Sequence, residues 1–200
     1  MTVDVVGQMA AEVVRRKPIS GIRIVGIDGC SGSGKSVVAA RLSARLSAPI
    51  IEIDDFVSWD CFADWWPRFD AQVLTPLLSG QDAMFQARDW ADWYGSSLGE
   101  WKTQPWAPTI IVEGVTCTRL DTVGRLVYAA WVEAPRELRV ARGMARDSNF
   151  AGKEQLWNRW MAEEDEFFAT DATRDRADIV IDTSAYGVAA SQHPLGPDGL

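Results

Sequence analysis

The chemistry in this sequence is concentrated in one octapeptide and three acidic or basic clusters behind it. Gly29-Cys30-Ser31-Gly32-Ser33-Gly34-Lys35-Ser36 matches G-x-x-x-x-G-K-[ST] in full. Glycines at those places let the backbone take left-handed angles and bring its N–H groups against phosphate oxygens. A lysine in the seventh position carries a point charge toward β- and γ-phosphates, and the serine after it offers a hydroxyl to Mg²⁺. The expected nucleotide contacts are Gly29, Ser31, Gly32, Ser33, Gly34, Lys35, Ser36 and Val37. Two carboxylate sites follow. Asp54-Asp55-Phe56 closes a short apolar run, and Glu113 closes another just before Gly114. At the carboxyl edge of a parallel sheet, such groups can accept a hydroxyl proton or join Ser36 on Mg²⁺. Asp54 is the expected general base, and Ser36, Asp54 and Glu113 the expected metal set. Asp55 and Glu113 are expected beside the acceptor. Finally, Arg139, Arg142 and Arg146 recur at helical spacings of three and four, so they share a face. Such a face could close as a lid on a transferring phosphoryl group, or it could pair with the acidic run Glu163-Glu164-Asp165-Glu166.

These groups need a scaffold, and the apolar pattern supplies one. Val3 to Lys17 reads as a helix stopped by Pro18. Ile22 to Ile27 is a β-branched run typical of a strand buried on both faces. Lys35 to Leu46 is helical, and Ile50 to Ile53 is a second strand. Asp70 to Leu78 reads as a helix closed by Ser79-Gly80, and Met84 to Trp101 as a hairpin turning at Tyr94-Gly95. Thr109 to Glu113, Arg125 to Val132 and Asp178 to Asp182 complete five strands. Helices at Arg136 to Asp147 and Lys153 to Phe168 stand between the last two. Short apolar strands alternating with helices predict an α/β fold, a five-stranded parallel sheet covered on both faces. One domain is expected over residues 1–183, with 58–108 as a substrate-binding insertion and 136–168 as the arginine-bearing lid region. Residues 184–200 form a small, Gly-rich tail expected to be mobile.

Bulk properties narrow the partners. A chain of 200 residues with a net charge of −8 lacks the clustered cations that nucleic-acid binding requires. No apolar run is long enough to span a bilayer, and no signal pattern opens the chain, so a soluble, cytoplasmic protein is expected. The three cysteines are widely spaced and read as incidental thiols, and the single histidine, His193, sits in the tail, which argues against histidine catalysis. Of ten tryptophans, seven lie between Trp59 and Trp106. Most should be core, but their clustering favours an aromatic wall around a ligand.

Together these residues resemble the uridine kinase and nicotinamide riboside kinase group of P-loop kinases, over roughly Ile22 to Asp182. The resemblance rests on the phosphate loop, Asp54-Asp55-Phe56, Phe69-Asp70, Ile111-Val112-Glu113-Gly114 and the arginine helix. It implies Mg²⁺ and ATP, Asp54 as base, Asp70 holding a ribose diol, Glu113 at a strand end, and catalytic arginines within Arg139 to Arg146. It also implies that Ala177 to Thr183 packs near adenine, and that homo-oligomers are common. The hairpin departs from uridine kinases, which place a Tyr and a His there. Here it reads Ala87-Arg88-Asp89-Trp90-Ala91-Asp92-Trp93-Tyr94, without histidine. Arg88, Asp89, Trp90 and Trp93 are the expected acceptor contacts, suited to a planar or sugar-like molecule. The expected activity is ATP-dependent phosphorylation of a hydroxyl on a nucleoside-like or sugar-like substrate. A kinase of another metabolite or an antibiotic, and a non-catalytic nucleotide switch, are the alternatives.

Overall fold

Hydrophobic runs too short for helices assemble into a central sheet with helices on both faces. The computed structural model describes residues 4–91, 95–146 and 152–185. Helix α1 (Val5–Arg15) is capped by Asp4, whose side chain accepts from the Gly7 amide, and leads into β1 (Arg23–Asp28). Helix α2 (Lys35–Leu46) follows the phosphate loop, then β2 (Ile50–Glu52) and a 3₁₀ turn (Ile53–Asp55). The remaining strands of the sheet are β5 (Thr109–Glu113), β6 (Tyr128–Glu133) and β7 (Ile179–Asp182). All pair in parallel, in the order β2-β5-β1-β6-β7.

Because side chains alternate along a strand, each buried strand feeds two cores. Val25, Ile27, Ile111 and Val132 pack under α1 and α2 with Met9, Val13, Val38 and Leu42. Ile24, Ile110 and Val112 face the opposite way, against Phe56, Trp65, Phe69, Val73 and Leu77. Apart from Phe56, the latter set comes from the 58–108 segment, so this insertion supplies much of the second covering layer.

That segment contains α3 (Trp66–Phe69), a π-helical stretch (Asp70–Leu74) and α4 (Thr75–Leu78), one continuous helical run ending at Gly80. The run starts four residues before Asp70, where the sequence pattern placed the helix. Trp65, Trp66 and Phe69 stack on one another there, with ring centroids 5.4–5.9 Å apart, a tertiary gain that outweighs modest aromatic helix propensity. The hairpin follows as β3 (Ala83–Asp89) and β4 (Ser97–Gln104), with a register shift between Gln86 and Arg88. After β6 come α5 (Arg136–Arg146) and α6 (Lys153–Asp171). Trp93, most of the loop between α5 and α6, His193 and the tail from residue 186 lie outside the described residues. Among the described residues, no helix is long and apolar enough to cross a membrane.

Candidate active site

The phosphate loop is held open by the absence of side chains. Gly29 has φ 141°, and a Cβ there would stand 2.0 Å from the carbonyl oxygen of Val132. Gly32 has φ 75°, and its Cβ would stand 2.3 Å from the carbonyl oxygen of Arg139. No side chain fits either place, so the neighbouring backbones of β6 and α5 can press directly on the loop. Lys35 opens α2 as a buried residue, with Nζ 3.3 Å from the Cys30 carbonyl. The Cys30 thiol is pushed up to about 12, chiefly by burial and then by the Glu164 charge, so it stays protonated and takes no nucleophilic part.

One residue beneath the loop escaped the sequence reading. Asp28, the last residue of β1, is fully buried and accepts from the amides of Gly29 (2.7 Å), Thr116 (2.8 Å) and Thr118 (2.7 Å), and from the Thr118 hydroxyl (3.0 Å). It ties the start of the phosphate loop to the turn after β5, where Thr116 is held at φ 64°. Burial raises its carboxyl to about 6 against the pull of those hydrogen bonds and of Lys35. An aspartate just before the first loop glycine was the available signal.

The strand-end acids converge as parallel pairing requires. Glu52 and Glu113 are register partners, and Glu113 lies one strand away from Ile27. Glu113 is buried, and its Oε1 lies 3.4 Å from the Ser36 hydroxyl. Desolvation raises its carboxyl from the ordinary 4.5 to about 7; Lys35 opposes this, while Asp54 and Glu52 add to it. Asp54 sits in the 3₁₀ turn after β2, and its carbonyl accepts from the Trp90 indole at 3.1 Å.

The phosphate loop, Asp54 and Glu113 open on one shared cavity of about 980 Å³. Ser31, Gly32, Gly34, Lys35, Ser36 and Val37 form its phosphate-loop side. Asp54 and Glu113 lie at its floor, beside Val57 and Val115. Trp59, Trp90, Trp157 and Trp160 form an aromatic wall, and Arg142 and Arg146 line the side given by α5. Val38, Arg41, Ala44, Ile181 and Thr183 also line the cavity, with Asp4, Val5 and Val6 from the start of α1. The volume is at the upper end of ordinary ligand sites, room for a nucleotide with a small second molecule. Trp157 and Trp160 were not singled out in the sequence, although their i, i+3 spacing puts them on one face of α6. Trp59 stacks edge-on against both, with centroids 6.5 and 5.3 Å away.

Of the remaining expected residues that are described, Arg142 and Arg146 reach the cavity and the others do not. Gly29 and Ser33 belong to the loop but do not line the cavity. Arg139 is buried rather than facing the cavity: its Nη1 lies 3.3 Å from both the Ser31 carbonyl and Glu164 Oε2. Of the two readings of the arginine face, pairing with the acidic run therefore holds for Arg139, as it does for Arg136 with Asp165 at 2.7 Å. Arg142 does reach the cavity while donating to the carbonyls of Gly32 and Thr183, which ties the loop to the end of β7. Arg146 also reaches it, over the Trp157 ring at 5.9 Å. Asp55 does not line the cavity; it pairs with Lys102 of β4 at 2.7 Å. Asp70 is likewise outside it, paired with Arg125 at 2.6 Å and accepting from Thr75, and the arginine holds its carboxyl below the usual range. Arg88 donates to the Phe56 and Ser96 carbonyls, and Asp89 accepts from the Ala91 amide, so both shape the hairpin rather than the cavity. Each of these four charged groups is held by a hydrogen-bond or ion-pair partner in the folded chain.

Among the described residues, no group of three or more His, Cys, Asp and Glu forms an all-protein cage. Mg²⁺ beside phosphates needs only one or two carboxylates and a hydroxyl, keeping waters and phosphate oxygens for the rest. Ser36, Glu113 and Asp54 on one cavity floor fit that requirement, and a carboxylate as desolvated as Glu113 would gain from a cation.

No family model and no curated protein matches this sequence. Solved structures do. A "possible uridine kinase" from Bacillus stearothermophilus superposes with a TM-score of 0.65 at 19% identity, over 88% of this chain and 97% of that one. A "putative fructose transport system kinase" from a Silicibacter species gives 0.60 at 17% identity, over 89% and 99%. At such identities the likeness establishes the fold, a P-loop kinase-like α/β domain.

Proposed function

We propose that this chain is an ATP-dependent phosphotransferase that moves the γ-phosphoryl group onto a hydroxyl of a small nucleoside-like or sugar-like acceptor. The observation that carries this reading is the single cavity. A phosphate loop with its lysine, two strand-end carboxylates and four indoles border one space. A nucleotide switch has no need of an aromatic chamber beside its terminal phosphate. A kinase does, because its acceptor must be held in line with the phosphorus and away from bulk water. The names of the two structural neighbours, a "possible uridine kinase" and a "putative fructose transport system kinase", support the same class of chemistry.

In this mechanism the amides of Gly32 to Ser36 cradle the phosphates, and Lys35 leaves the Cys30 carbonyl to meet the β- and γ-oxygens. Asp54 takes the proton of the attacking hydroxyl while that oxygen bonds to the γ-phosphorus and the bridging oxygen departs with ADP. Ser36, Glu113 and Asp54 would hold Mg²⁺, which supplies charge neutralisation at the phosphates. Arg142 and Arg146 approach from α5 and add positive charge as the phosphoryl group transfers. Trp59, Trp90, Trp157 and Trp160 hold a planar or sugar face by stacking and exclude water.

The test is a screen of hydroxyl compounds for ADP release, followed by Asp54→Asn with the best acceptor. Turnover should fall by about a hundredfold or more while ATP binding stays near normal. Unchanged turnover removes Asp54 from its role, and a library without any stimulated ADP release removes the kinase reading.

A further inference from the structure

A hydrogen-bonded joint connects the aromatic wall to the phosphate loop, and the mechanism above makes no use of it. Glu164, on α6, is wholly buried. Its Oε1 accepts from the Ser31 amide at 2.8 Å and from the Trp160 indole Nε1 at 2.9 Å, and its Oε2 lies 3.3 Å from Arg139 Nη1. The same indole N–H lies 2.9 Å from the Ser31 hydroxyl. A carboxylate buried beside a pocket for polyanions is unfavourable by charge alone. Arg139 balances that charge, and the hydrogen bonds direct it at one peptide unit.

That peptide joins Cys30 to Ser31. Its N–H is the group Glu164 holds, and its C=O is the group that receives Lys35 Nζ at 3.3 Å. In a planar trans peptide these two dipoles point in opposite directions, so fixing one fixes the other. Glu164 thus sets where the Cys30 carbonyl points and therefore where the Lys35 ammonium rests. Trp160 brings the cavity into this arrangement, because its ring lines the chamber while its N–H shares the Glu164 oxygen.

We infer that Glu164 is a positioning residue of the phosphate loop. Through the Cys30–Ser31 peptide it orients Lys35, and through Trp160 it transmits contact at the chamber wall to that peptide. This inference rests on the phosphotransferase reading, since it presumes that the loop receives a nucleotide.

The experiment compares the full chain with Glu164→Gln and with Trp160→Phe. Glutamine keeps the shape and one acceptor oxygen but loses the charge; phenylalanine keeps a ring and loses the N–H. The probe is a magnesium complex of a non-hydrolysable ATP analogue, titrated calorimetrically. Exchange of the Ser31 amide is followed by NMR, and urea unfolding of the free protein is recorded. Replacing a charged hydrogen bond by a neutral one should weaken analogue binding by about tenfold and speed Ser31 exchange by a similar factor. Trp160→Phe should give a smaller loss, about threefold, in the same two readings. If Glu164→Gln strands Arg139 and unfolds, Glu164→Gln with Arg139→Met removes both charges, and Trp160→Phe decides independently. Variants that unfold more easily yet bind the analogue and protect Ser31 as the parent does would overturn the inference. A parent that takes up no analogue would bring down the phosphotransferase reading, and this inference with it.

Discussion

Replacing Glu113 by glutamine should make the nucleotide-free protein more stable at pH 8 and leave it unchanged near pH 4. Glu113 is 7% exposed, and its carboxyl is raised from the ordinary 4.5 to about 7, mainly because burial penalises the charged form. A group raised in the folded state contributes its stability fully below the unfolded value and loses it as pH climbs through the folded value. The interval from 4.5 to about 7, at about 1.4 kcal/mol per pH unit, amounts to about 3 kcal/mol. This is the penalty that glutamine escapes at pH 8, because it never ionises. Urea unfolding of both proteins at pH 8 and pH 4, without nucleotide or metal, measures the difference directly. The variant should gain about 3 kcal/mol at the higher pH and nothing at the lower one. Adding magnesium and a nucleotide should reverse the advantage, since the carboxylate then has a cation to meet. A stability difference that does not change with pH, or a variant less stable at pH 8, would refute the claim that Glu113 is a strained buried acid kept for binding.

Two further predictions follow from packing and pairing. Gly143 lies in α5, where a Cβ would stand 2.1 Å from the Trp157 ring, and that ring is buried. Gly143→Ala should therefore cost about 2 kcal/mol by overpacking, although alanine is normally favoured in a helix by about 1 kcal/mol; thermal unfolding reads the sign. Asp70→Asn should leave kcat and KM for the acceptor within about twofold, because the Arg125 pair sits outside the cavity, and should cost no more than about 1 kcal/mol of stability. A large rise in KM would return Asp70 to the acceptor site.

What the sequence by itself determined was the set of local geometries. The glycines at 29, 32 and 34, followed by Lys35, could build only one kind of loop, and all three stand at positive φ. β-Branched runs of strand length, with helices between them, led to the five-stranded parallel sheet. In such a sheet the ends of neighbouring strands share an edge, so Asp54 and Glu113 came to the loop without further instruction. The loop and the individual strands depend on residues within a turn or a strand of one another, and the chain displays them directly.

Only the tertiary structure decided the partners. Arg139 was one of three equivalent arginines until α6 brought Glu164 beneath it, 25 residues away. Asp70 and Asp55 were candidate ligand contacts until Arg125 and Lys102 arrived from 55 and 47 residues away. Trp157 and Trp160 became chamber wall, and Asp28 a clamp on the loop, by contacts of the same distant kind. Periodicity records which face of an element is buried, and an ion pair or a hydrogen bond depends on what that face meets. That meeting is settled by the packing of whole elements, where the cost of burying an unpaired charge selects the partner.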